Sequence, residues 1–220
     1  GPGDPDMKKQ TRDILIGGLL VCAAVVSLRS AFFGGSPKIE LGTYQALGAV
    51  TAEETAKLLG TKGRVLVIAR DTGADKNPSV EAELAAFEQT LKKHGGLRQV
   101  TERFVATPML MMATGGSVPP DRLTEALAAH TDIGALVLFC AFPPLADADL
   151  DALRKRGVKT VVVSSFRPEY ARLMEQGIIS LAIVPRPEPP PAGAPQPRTL
   201  RELFDQDYAI LAPQDGVSGG

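Results

Sequence analysis

Val65 to Ala69 is an unbroken apolar run, and three of its five residues are β-branched. It follows Gly63-Arg64 and opens at once into a polar loop, Asp71-Thr72-Gly73-Ala74-Asp75-Lys76-Asn77-Pro78. A short continuous apolar run bounded by turn residues describes a strand buried on both faces, the kind found in parallel sheets. Ser79 then begins a segment with Val80, Leu84, Phe87 and Leu91 on one helical face, closed by Gly95-Gly96. Strand, polar loop and amphipathic helix form the first half of a βαβ unit.

The same grammar repeats downstream. Gln99 to Ala106 is a more polar, alternating strand that belongs at a sheet edge, followed by a Met-containing loop from Thr107 to Pro119. Helices are predicted over 120–130, 147–156 and 168–176, the last two stopped by Gly157 and Gly177. Strands are predicted over 133–142, 158–164 and 178–184. Short connections with right-handed crossovers predict a three-layer, doubly wound parallel α/β sheet of about five strands in the order 2-1-3-4-5.

Flanking segments carry other information. Gly1 to Asp6 reads as an extension or a cloning scar ahead of Met7. Residues 7–33 hold Lys8, Lys9 and Arg12 ahead of a run from Ile14 to Phe33 that is interrupted only by Arg29. That length suits one transmembrane helix, and the charge bias puts the amino terminus in the cytoplasm and the rest of the chain outside. Gly34-Gly35-Ser36 before Pro37 is a poor cleavage context, so an uncleaved anchor is expected. Residues 34–63 read as a tether with a short helix capped at Thr51. The α/β lobe then spans 64–184. Seven prolines between Pro185 and Arg198 make residues 185–220 an extended arm with a final short helix and, at Tyr208–Leu211, a candidate last strand.

A formal net charge of −1 and the lack of Trp argue against a nucleic-acid platform. Cys22 and Cys140 both lie in apolar surroundings and read as free thiols. His94 and His130 stand alone at helix ends and suggest no metal site, and no phosphate loop or cofactor motif is present.

In an open α/β sheet, ligands sit outside the carboxyl ends of the strands, where strand order reverses. Candidate ligand-binding residues are therefore Asp71, Thr72, Asp75, Lys76 and Asn77 after the first strand, with Cys140 and Phe142 after the third. Ser164, Ser165 and Arg167 follow the fourth. Ordinary turn and N-cap chemistry competes as the account of Asn77-Pro78-Ser79. Asp71-Thr72-Gly73 matches the core of aspartic-protease motifs but precedes a helix and follows Arg70. A phosphatase of the haloacid-dehalogenase type would want a second Asp where Gly73 stands. The sequence assembles no catalytic set. The enzyme alternative is a hydrolase using Asp71 with Ser164 or Ser165.

The stretch Ile133-Gly-Ala-Leu-Val-Leu-Phe, then Leu150-Asp-Ala-Leu-Arg-Lys-Arg-Gly-Val-Lys-Thr-Val-Val-Val, Arg167-Pro-Glu and Gln176-Gly-Ile-Ile-Ser-Leu-Ala-Ile-Val, resembles one lobe of the type 1 periplasmic-binding-protein fold. That superfamily also supplies the sugar-responsive core of bacterial repressors. The resemblance implies a small-solute site between two lobes, whereas this chain has length for one. Two roles follow for a domain at the outer face of the cytoplasmic membrane. One is a non-catalytic interaction or scaffold subunit, with a protein partner or homo-oligomer. The alternative is a sugar-like solute-binding or sensing lobe, completed by dimerisation.

Overall fold

The computed structural model describes residues 41–71, 73, 76–166, 170–191 and 195–213. The apolar segment 14–33 and the first six residues lie outside them, and among the described residues no helix is long and apolar enough to cross a membrane.

One sheet organises the domain. Its strands are β1 (Gly63–Asp71), β2 (Leu97–Val105), β3 (Ala135–Leu138), β4 (Lys159–Val163), β5 (Leu181–Pro185) and β6 (Tyr208–Leu211). Their order is β2-β1-β3-β4-β5-β6, with the first five parallel and β6 antiparallel to β5. The expected order of five parallel strands is present, and the sixth strand closes the far edge. The run Val65–Ala69 is at most 3% exposed, as a strand covered on both faces must be.

Helices α1 (Leu41–Leu59), α2 (Pro78–Lys93) and α7 (Leu200–Asp207) cover one face. There Val50, Phe87 and Phe204 pack on Val65, Val67, Val137 and Ile183. Helices α4 (Pro120–Ala129), α5 (Asp147–Lys155) and α6 (Ala171–Glu175) cover the other. Leu123, Leu127, Leu153 and Met174 meet Leu66, Ile68, Leu136 and Val162 on that side. The alternation of strand residues between two apolar layers is the period of two imposed by the pleat.

Two segments differ from the sequence-based expectation. Thr51 does not cap a short helix. It lies within the 19-residue α1, fully buried, and its hydroxyl donates to Leu47 O at 2.7 Å. Thr55 donates likewise to Thr51 O, so both hydroxyls are satisfied inside the helix and the cap pattern is unused. The stretch 107–119 is not all loop. Thr107 caps a six-residue helix α3 (Pro108–Ala113), its hydroxyl accepting from Leu110 N, with Pro at the first helical position. The later strands are also shorter than expected, since β3 ends at Leu138 and the chain from Phe139 to Phe142 runs on as buried loop.

Candidate functional site

Strand order reverses between β1 and β3, so the crevice lies beyond their carboxyl ends. The structure places several of the proposed residues there but gives most of them local duties. Asp71 ends β1, and its Oδ1 accepts from Gly73 N at 3.0 Å. Asn77 is the N-cap of α2, its Oδ1 accepting from Ser79 N at 2.9 Å. Lys76 is exposed. Ser164 is 1% exposed and Phe142 is 9% exposed. Phe142 N donates to the Tyr170 hydroxyl at 3.3 Å, and Ser164 Oγ accepts from Phe166 N at 3.4 Å. Ser165 is exposed beside them. Thr72, Asp75 and Arg167 lie outside the described residues. Lys76 and Ser165 are thus the proposed side chains that stand open with no hydrogen bond recorded among the described residues.

Three further groups reach this end of the sheet that the sequence did not mark. Arg70, one residue before the end of β1, forms no ion pair among the described residues. Glu83, on the second turn of α2, is 9% exposed and takes no hydrogen bond there. Burial pushes its carboxyl up to about 8, against the opposing pull of the Arg70 charge. Tyr208, at the start of β6, is raised to about 12 by burial, with Glu83, Tyr44 and Asp207 adding to it. Glu83 escaped the sequence reading because it sits beside, not within, the stripe Val80–Leu84–Phe87–Leu91. Gly48 was the available signal, since a glycine inside a helix marks a close crossing. A Cβ there would stand 2.0 Å from Glu83 O.

These groups offer charge and hydrogen bonds rather than a nucleophile. The Cys140 thiol is 4% exposed and is pushed up to about 12, chiefly by burial, so it holds its proton at neutral pH. Among the described residues no three His, Cys, Asp or Glu side chains gather as a metal site.

A second concavity was not foreseen. A groove of about 690 Å³ runs along the outer side of β2, floored by Ile68, Phe104, Leu110 and Val118 and rimmed by Glu102 and Asp121. Near it, Val105, Met109 and Met112 are 64%, 82% and 86% exposed.

No family model matches the chain, and no curated protein is similar to it in sequence. Among solved structures the chain is similar to AraP, an arabinose-binding protein from Geobacillus stearothermophilus, at 22% identity and a TM-score of 0.47. That match covers 64% of this chain and 45% of AraP. GanP, a glucose-galactose-binding protein from the same organism, matches at 19% identity and TM-score 0.44, over 64% and 47% of the two chains. XylFII in its complex with LytSN matches at 15% identity and TM-score 0.49, over 79% and 61%. The chain thus spans under half the length of AraP and GanP. Likeness at this level assigns no ligand, and the fold stands on the strand order itself.

Proposed function

We propose that the domain is a non-catalytic binding lobe for a small polar, sugar-like solute, held outside the cytoplasmic membrane by residues 14–33. The observation that carries this reading is the reversal of strand order between β1 and β3, with Arg70, Asp71 and the buried Glu83 gathered at that end. A guanidinium with no ion pair among the described residues and a carboxyl held largely protonated at neutral pH can bond several hydroxyls of one ligand. Sugars come first as a class because residues 64–184 resemble one lobe of the type 1 periplasmic-binding-protein fold. The basic residues ahead of the apolar run, Lys8, Lys9 and Arg12, support the outward orientation. One lobe covers a solute on one side only, and a small-molecule site needs most of its ligand enclosed. A second subunit would supply the opposing wall.

Thermal unfolding of the full chain against a panel of pentoses, hexoses and nucleosides tests this. One solute should raise the midpoint by several degrees, and Arg70→Ala should remove the shift without lowering the unliganded midpoint. A folded chain indifferent to the whole panel at millimolar concentration would refute it.

A second reading, an interaction subunit of an envelope assembly, is favoured by the exposed Val105, Met109 and Met112 and by the proline run Pro187–Pro191. That run stands against α7, where Arg186 Nε donates to Asp205 O at 2.6 Å and Gln206 Nε2 donates to Pro195 O at 3.2 Å. A fastened, extended arm loses little entropy on docking. Under this reading a gently solubilised complex would lose its partner when Pro189–Pro191 are replaced by serine.

A further inference from the structure

Among the described residues, β2 is a nine-residue strand at the edge of the sheet, paired on one side only. Two backbone hydrogen bonds fix which way its peptide groups point. Gly96 O accepts from Gly63 N at 3.2 Å, and Ala106 N donates to Asp71 O at 3.1 Å. With the register running residue for residue from Gly63↔Leu97 to Asp71↔Val105, the even-numbered residues of β2 face β1. The N–H and C=O groups of Gln99, Thr101, Arg103 and Val105 therefore point outward. Long unpaired edges are templates for another strand, and monomeric proteins normally shorten, bulge or cover them.

The side chains along this edge suit a copy of themselves. Val100, Glu102 and Phe104 share one face: Val100 and Phe104 join the α4 side of the core, and Glu102 meets His130 Nε2 at 2.9 Å. Arg98, on the same face by alternation, is exposed and has no ion-pair partner among the described residues. An antiparallel two-fold placed on Val100 sets each Val100 against the partner's Val100. It also sets Arg98 against the partner's Glu102, twice over. These are the non-hydrogen-bonded positions, where facing side chains approach most closely. The outward-pointing Gln99 and Thr101 then fall opposite each other across the axis and can exchange backbone hydrogen bonds. Within one chain, Gln99 Nε2 donates to Thr101 Oγ1 at 3.0 Å while Gln99 Oε1 is buried without a partner among the described residues. A two-fold on Gln99 or on Thr101 leaves Arg98 and Glu102 unmatched. A two-fold between Val100 and Thr101 sets Arg98 against the partner's Arg103, and one on Arg103 sets like charges face to face.

We propose that a second copy of this chain pairs antiparallel with β2 about Val100, joining the two sheets into one of twelve strands with an Arg98–Glu102 ion pair on each side of the axis. Such an isologous contact closes on itself and leaves no free β2 edge. It does not depend on any solute, and it lies two strands away from the β3 side of the crevice.

Sedimentation and cross-linking of the full chain in mild detergent test the pairing. The wild-type chain should be a dimer, and Arg98→Glu or Glu102→Arg alone should raise its dissociation constant at least tenfold. An equimolar mixture of the two single variants should recover the dimer, because each chain then supplies the charge that the other lacks. Independently, Val100→Cys in a Cys22→Ser background should form a disulfide-linked dimer under mild oxidation. A wild-type chain that stays monomeric at tens of micromolar overturns the proposal. So does a dimer indifferent to both reversals, a mixture that fails to re-form, or a Val100→Cys chain that does not cross-link.

Discussion

Single residues in this fold carry measurable consequences, and Glu83 is the clearest. In an unfolded chain its carboxyl ionises near the ordinary value of 4.5, and in the fold near 8. The folded state therefore holds a proton that the unfolded state has released between those values. Stability from this group is complete below about 4.5 and falls as pH climbs to about 8. The loss should be on the order of a few kcal/mol, since relaxation and the Arg70 charge soften the burial cost. Glu83→Gln should flatten the decline of melting temperature between pH 5 and 8 and stabilise the protein at pH 8. A variant that declines in parallel with wild type would show that Glu83 ionises as freely as a surface residue. Thr160 is a second case, of opposite kind. Its hydroxyl is buried on β4 without a partner among the described residues. An unsatisfied buried group costs about 1–3 kcal/mol. Thr160→Val, close in shape, should raise the melting point by a few degrees.

At the scale of elements, the crossing of α1 over α2 decides how the first face packs. The helices touch backbone to backbone at Gly48, where an added Cβ would lie 2.0 Å from Glu83 O and 3.0 Å from Phe87 N. Gly48→Ala gains about 1 kcal/mol of helix propensity, but forcing the helices apart costs about 1–3 kcal/mol or more. Net destabilisation is expected, read as a drop of several degrees in calorimetry. A rise would mean that the crossing has room. The same crossing explains what the sequence disclosed and what it hid. Buried strands such as Val65–Ala69 and Val161–Val163 were legible because apolar runs between turn residues have few other uses. Strand order followed from short connections and crossover handedness. The amino-terminal half of α1 was hidden because Gly42 and Gly48 imitate a tether, and Thr51-Ala-Glu-Glu imitates a cap. In the fold, the glycine serves contact and the threonine bonds back to Leu47. The site was half legible. Position beyond β1 and β3 follows from topology, but burial of Glu83 depends on which helix crosses α2, and local sequence does not specify that.

At the scale of the whole molecule, the two sheet edges are managed differently. β2 carries Arg98, Glu102 and Arg103, the last tied to Glu81 at 2.6 Å, so its edge is charged and selective. β5 is apolar throughout, with Leu181 to Val184 at most 5% exposed, and left open it would pair with any strand available. The carboxyl-terminal segment covers it. β6 pairs antiparallel, Leu211 with Ala182 through to Tyr208 with Pro185. α7, capped by Thr199 accepting from Glu202 N at 3.1 Å, sets Phe204 fully buried in the core shared with α1, its ring 5.6 Å from that of Tyr208. The proline arm is then a strap that carries the chain from the end of β5 back to α7 and β6. Truncation after Arg198 should strip this cover and turn the chain toward aggregation, seen as loss of soluble, size-homogeneous material. Phe204→Ala keeps β6 in place and removes only the packing, at a cost of about 3–5 kcal/mol, or roughly 6–20 °C in melting temperature for a domain of this size. A truncated chain that stays soluble and melts with the wild type would show that β5 needs no cover, and that the last helix and strand only rest on a domain complete without them.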